Sequence, residues 1–399
     1  MKLLCFIFLI NCFSVFNADA QLFFFRYNEG DKYRIISTVN EEVFLDNELH
    51  HRAEILNRIA VEVTNASSEK GYLKAIFQTS EKTTDTSINS FQWAREYKSE
   101  FERDRLGYMT IGREFFMPVV RNVPVFPDKE IFPGDKWISE GHEVHDFSDN
   151  FGIREPYRIP FTANYEYLGE REWKGKTYPA FSVNYQINLR PPRAVSGRIW
   201  PRSIRAVSNQ VLFWDLELGQ NVAYYENFQY RFELSNGRTI EFKGNAEAEI
   251  IESSFMNKEK LAEEITEEIK RLEIPDVTVH IVDEGISLRL DNIQFLPDST
   301  DMLPGEAEKL NKILEILQQY SDRDIMVGGH AARAGTKEGQ MKLSTQRAAL
   351  IADYIIKNNV RRPERIVVHG YGAERPIANN ITEEGRRLNR RVEIILLEN

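Results

Sequence analysis

The side chains best equipped for chemistry lie late in the chain, in the run GGHAARAGTKEGQMKLSTQRA from Gly328 to Ala348. Its Arg347 is a permanently charged planar fork, able to hold a carboxylate through two parallel hydrogen bonds. Where a carboxylate would be useful the run offers Ala331 and Ala332, the second of them fifteen residues before Arg347. The pattern is a loop entering a helix that carries a fixed cation with no obvious anion beside it. A second basic cluster, RRLNRR from Arg386 to Arg391, has two readings. It attracts an anionic surface, or it is a solvated face in which Arg387 and Arg391 pair with Glu383, Glu384 or Glu393.

Other constellations are weaker. GHEVHD, Gly141 to Asp146, brings His142, Glu143, His145 and Asp146 close together, but it lacks the i, i+4 histidines of a zinc-binding HExxH helix. On a strand His142 and His145 would face opposite sides. GYGAERP, with Gly370 and Gly372, reads as a turn after a strand, and no serine sits in a G-x-S-x-G elbow. The sequence therefore predicts no enzyme, no metal and no cofactor.

These residues need elements to position them. At 399 residues the chain is long enough for two or three domains at roughly 100–200 residues each. A net charge of -10 argues against nucleic acid as the main partner. Residues 1–20 read as a secretory signal peptide: Lys2, an apolar run from Leu3 to Ile10, then Ala18-Asp19-Ala20 before Gln21. Both cysteines, Cys5 and Cys12, fall inside it, so no disulfide is expected in the mature protein. Leu9-Ile10-Asn11-Cys12 offers an alternative, a loose lipobox that would leave a lipid anchor on Cys12. After residue 20 nothing approaches the roughly 18 consecutive apolar residues of a membrane-spanning helix.

From residue 21 to 252 the pattern is β. In AFSVNYQINL, Phe181, Val183, Tyr185, Ile187 and Leu189 alternate with Ser182, Asn184, Gln186 and Asn188. FQYRFEL repeats the alternation with Phe228, Tyr230, Phe232 and Leu234, and shorter runs occur at Ile35–Val39, Ile59–Val63 and Leu73–Phe77. The four prolines between Pro118 and Pro133 place that segment at an edge. The aromatic face is buried inside a sandwich or half-barrel, or turned to lipid in a membrane barrel; the charged stretch Arg95 to Asp104 favours the first. Residues 253–275 predict an acidic linking helix with Leu261, Ile265, Ile269 and Leu272 on one stripe. Residues 276–399 alternate strand and helix, an α/β layer. The whole is an α+β multidomain chain.

Read in order, IQF with Asp298-Ser299, GGHAARAG, LSTQRA, HGYGAERPIANN and EEGRRLNRRVEI resemble the OmpA-like domain, a peptidoglycan-binding module of envelope proteins. The resemblance covers about Val277 to Leu397 and implies an α/β sandwich that grips the diaminopimelate side chain of a stem peptide. It implies ligand-facing roles for Arg347, Gln340, Asn389, Arg390 and Arg391. The family's aspartate position is Ala332 here, and a frequent threonine is Ala334. The expected function is therefore an exported protein, periplasmic and outer-membrane associated, that tethers or contacts peptidoglycan with weakened or altered selectivity. The alternative is an envelope scaffold, holding outer-membrane or other envelope proteins, that no longer binds the wall.

Overall fold

The computed structural model describes residues 20–83, 90–191, 199–251, 258–290 and 305–397. Cys5, Cys12, the boundary near residue 252 and the Asp298-Ser299 pair lie outside them.

The first part is one curled antiparallel sheet. Its opening meander is β1 (Lys32–Leu45), β2 (Glu48–Ala66), β3 (Lys70–Thr83) and β4 (Phe91–Asp104). Asp46 and Asn47, with φ of 52° and 71°, turn β1 into β2 in the left-handed pair of conformations that a two-residue hairpin needs. The short β5 (Met109–Ile111) and β6 (Val120–Arg121) follow, then β7 (Lys136–His145), the single turn α1 (Ser148–Phe151), β8 (Tyr157–Trp173) and β9 (Lys176–Leu189). β10 (Pro201–Asp215), β11 (Gln220–Leu234) and β12 (Thr239–Ile251) complete the sheet, and β12 returns to pair with β1. The neighbours thus run β5-β4-β3-β2-β1-β12-β11-β10-β9-β8-β7-β6.

The predicted alternation sets the inside of this sheet. Phe181, Val183, Tyr185 and Ile187 are buried, while Gln186 and Asn188 are exposed. β8 behaves alike, with Ile159, Phe161, Ala163 and Tyr165 inward and Arg158, Thr162 and Asn164 outward. A lipid-facing barrel would show the opposite, an apolar band outside. The chain segment before β1 fills the interior: Phe23 packs edge-on against Phe181 at 4.8 Å and Phe25 against Trp214 at 4.8 Å. The short runs of the sequence extend into strands of 14 to 19 residues. Pairing on both sides carries their polar residues along, and charged neighbours match across strands, as Lys74 does with Glu100 at 3.2 Å. Between Pro118 and Pro133 only the two-residue β6 and the isolated bridge Gln21–Ile131 form.

The second part alternates helix and strand: α2 (Lys258–Arg271), β13 (Val277–Val282), β14 (Gly285–Leu290), α3 (Glu306–Gln319), β15 (Ile325–Gly329), α4 (Lys337–Lys357), β16 (Ile366–Gly370), α5 (Glu383–Asn389) and β17 (Val392–Leu397). The strand order is β13-β14-β17-β15-β16, with β15 and β16 parallel. Leu288, Val327, Val368 and Ile394 from the sheet pack with Leu310, Ile313, Leu317, Ile351 and Ile355 from the helices. The stripe predicted for the acidic helix joins them, with Ile265 and Ile269 buried.

The two parts meet along β16. Val367 and Val368 pair in parallel with Phe91 and Gln92 of β4. Arg58 of β2 donates to Asp324 at 2.9 Å, a buried ion pair, and Arg365 reaches the same carboxylate at 2.8 Å. Trp93 stacks on His369 at 5.2 Å.

Candidate functional site

β15 ends in Gly329 and β16 in Gly370 because helix α4 lies directly against both strand ends. A Cβ on Gly329 would stand 2.0 Å from the Ser344 carbonyl oxygen, and one on Gly370 would stand 2.0 Å from Thr345 Oγ1. This contact fixes the middle of α4, and with it Arg347, beside the loop that leaves β15. Thr336 caps α4 by accepting from Gly339 N at 3.1 Å, satisfying one of the free N–H groups of the first turn. Ser344, wholly buried, donates to Met341 O and accepts from Gly372 N at 2.9 Å, so α4 also holds the loop after β16.

The loop carrying the alanines is held from both flanks. Ala331 N donates to Gly372 O at 2.7 Å. Arg333 N donates to Asn380 Oδ1 at 2.9 Å, and Asn380 is fixed in turn by Asn389. Asn389 has no exposed surface. Its Oδ1 accepts from Ile377 N and Ala378 N at 2.8 and 3.0 Å, and its Nδ2 donates to Ala378 O and Asn380 Oδ1. Gln340 Nε2 donates to Ala334 O at 3.0 Å and closes the loop on the helix side. Asn389 and Gln340 are thus engaged in shaping the backbone around Ala332.

Arg347 is buried, at 7% exposure, and is engaged in an interaction of its own within the protein. Ala332 is buried to the same degree. Arg390 turns onto α5 and pairs with Glu383 at 2.8 Å. Arg391 is buried, bonds Glu393 at 2.7 Å and donates to Arg375 O at 3.2 Å. Burial pushes the Glu393 carboxyl up, but neighbouring His330 and Arg391 bring it down to about 2. His330 is itself pushed below its usual range by burial, so Arg391 supplies the lasting positive charge.

An aromatic column on this side of the domain is not marked by any motif or period in the sequence. His330, Tyr371, His369 and Trp93 stack in succession at 4.8, 3.9 and 5.2 Å, and Arg375 lies 4.2 Å over the Tyr371 ring. The only hint in the sequence is the pair of His-x-Tyr and Gly-Gly-His strand ends, whose meeting depends on the β15–β16 register.

In the GHEVHD stretch the strand separates the histidines as alternation requires. Glu143 is fully buried and accepts from Tyr185 OH at 2.7 Å, from Tyr230 OH and from His145 Nε2 at 2.7 Å. His142 instead meets Arg158 on the other side. Among the described residues no three His, Cys, Asp or Glu side chains gather as metal ligands.

With this geometry in view, residues 294–390 match the model of the OmpA family, so the C-terminal part of the chain is an OmpA-family domain; no family model matches the N-terminal part. Peptidoglycan-binding protein ArfA of Mycobacterium tuberculosis H37Rv is 36% identical over 104 residues, 26% of this chain and 32% of that protein. Outer membrane porin F of Pseudomonas aeruginosa is 32% identical over 112 residues, 28% of this chain and 32% of the porin. A solved outer membrane protein of Borrelia burgdorferi B31 shares 31% identity, covering 30% of this chain and 96% of its own, with a TM-score of 0.26. The chain spans about a third of the length of these two curated relatives.

Proposed function

We propose that this is an exported, non-catalytic protein of the cell envelope whose OmpA-family domain contacts peptidoglycan. The observation that carries the reading is the ordered match over residues 294–390, with Arg347 kept on α4 beside the clamped loop Ala331–Gly335. Relatives named for peptidoglycan binding and for the outer membrane support the same setting. In this reading Arg347 takes the acid group of a diamino-acid stem residue, and the family's anion is missing at Ala332. Removing one partner of a buried charge pair costs about 2–5 kcal/mol, so the grip is weaker or differently selective. The protein sits in the periplasm against the outer membrane, through a processed leader or through a lipid on Cys12.

Sedimentation of the full chain with purified sacculi tests the proposal. The wild type is expected in the pellet at low salt, with Arg347→Ala largely in the supernatant. Ala332→Asp is expected to raise affinity for diaminopimelate-containing wall about tenfold, the value of roughly 1.4 kcal/mol. A wild type that stays in solution sinks the proposal. One observation favours a second reading, an envelope scaffold without wall binding: Arg347 is buried and already engaged. That reading expects cross-links to another envelope protein, and no sedimentation with sacculi for either the wild type or Arg347→Ala.

A further inference from the structure

The registers of six adjacent strands place one asparagine on each in a single row. Asn164 of β8 faces Asn184 of β9, which faces Asn209 of β10. Asn209 faces Asn227 of β11, Asn227 faces Asn245 of β12, and Asn245 faces Asn40 of β1. At about 4.8 Å between strands the row runs roughly 24 Å across the sheet. Asparagine is depleted in strands, so six in one row call for a cause other than strand formation. All six lie on the outward face, five of them exposed and Asn184 half-buried.

Mutual bonding is not that cause. In a self-satisfied amide ladder each side chain bonds the next. Of the five neighbouring pairs here only Asn40 and Asn245 do so, Nδ2 to Oδ1 at 3.2 Å. Asn164 donates to a backbone oxygen of Asn184. Among the described residues, the amides of Asn184, Asn209 and Asn227 bond no other group.

The surface around the row has a definite chemistry. A hollow of about 290 Å³ opens over it, lined by Thr162, Asn164, Asn184, Tyr185, Gln186, Val207 and Asn209, and no charged side chain lines it. One row along lie Val211 and Tyr225, and Tyr225, 42% exposed, is backed by Phe213 at 6.0 Å with Trp173 beyond at 4.9 Å. Each amide offers two donors and an acceptor. The uncharged lining does not suit phosphate or nucleic acid, which need cations. The row lacks the apolar centre of a protein interface, and these strands are already paired on both edges, so no added strand can dock. What remains is a neutral, extended chain with a donor and an acceptor at every unit and apolar C–H faces for Val207, Val211 and Tyr225.

We propose that the asparagine row binds a neutral glycan chain bearing hydroxyl and acetamido groups, laid across the strands. The site is separate from the pocket beside Arg347 and stands without it. Calorimetric titration of the full chain with a soluble hexamer of β-1,4-linked N-acetylglucosamine tests it. The hexamer has no peptide stem, so its binding is read apart from the C-terminal pocket. Saturable binding is expected, falling at least tenfold in Asn184→Ala/Asn209→Ala/Asn227→Ala and several-fold in Tyr225→Ala, with melting and circular dichroism unchanged. If the triple variant fails to fold, the single Asn209→Thr, which favours the strand, is expected to show the loss. No binding at millimolar hexamer overturns the proposal. So does a folded variant that binds as the wild type does, or a self-dimer in sedimentation velocity that the triple variant abolishes.

Discussion

Asn389 shows how a motif residue acts at the scale of one side chain. It spends all its hydrogen-bonding groups on the 377–380 loop, which in turn holds Arg333. Asn389→Ala leaves two part-buried N–H groups without their acceptor, at a cost of at most about 1–3 kcal/mol each. Faster hydrogen exchange at Ile377 and Ala378 and a lower melting temperature are expected; unchanged exchange there would remove Asn389 from this role. The sequence marked Asn389, Gln340 and the arginines as a group, because their spacing matches a family. It could not show that Asn389 and Gln340 bond backbone, since that depends on loops from three different parts of the chain converging. A second residue carries a pH effect. Burial, and then the neighbouring Glu81, raise Glu41 from an ordinary 4.5 to about 7. Folding therefore favours its protonated form. That contribution is fully present below pH 4.5 and is lost as pH rises through about 7. Glu41→Gln is expected to melt higher than wild type at pH 8 and level with it at pH 4.5, in a series of melts across that range.

At the scale of elements, the strands and helices were readable because their periods differ. AFSVNYQINL alternates and becomes β9, while the Ile265 and Ile269 stripe becomes the buried side of α2. Contacts between elements were not readable. The asparagines are scattered along more than two hundred residues and align only once five registers are known. Segment 21–27 shows only a run of aromatics in the sequence, although Phe23 and Phe25 fill the inside of the curled sheet. The glycine contact of β15 with α4 is likewise a property of two elements. Gly329→Ala would drive a methyl group into the Ser344 carbonyl, an overpacking worth about 1–3 kcal/mol. The expected outcome is a lower urea midpoint, followed by circular dichroism; an unchanged midpoint would mean that α4 can shift without cost.

Across the whole molecule, the meeting of the two parts rests on few residues, separated by 266 positions in the case of Arg58 and Asp324. No local pattern in the sequence encodes that distance. Arg365 still pairs with Asp324 in Arg58→Ala, so the loss stays below the about 3–5 kcal/mol of a wholly unpaired buried charge. Arg58→Ala is expected to split one unfolding transition into two, seen when strand and helix signals no longer melt together. Arg58→Met with Asp324→Leu is expected to recover part of the loss. Coincident melting in Arg58→Ala would show that the β4–β16 pairing suffices alone.

That pairing has a mechanical side. Val367 and Val368 run parallel to Phe91 and Gln92, so a pull applied along these strands loads their hydrogen bonds together, in shear, instead of unzipping them one by one. Tension entering through the C-terminal sheet would pass into the curled sheet across this parallel pairing, which must be sheared before the two parts separate.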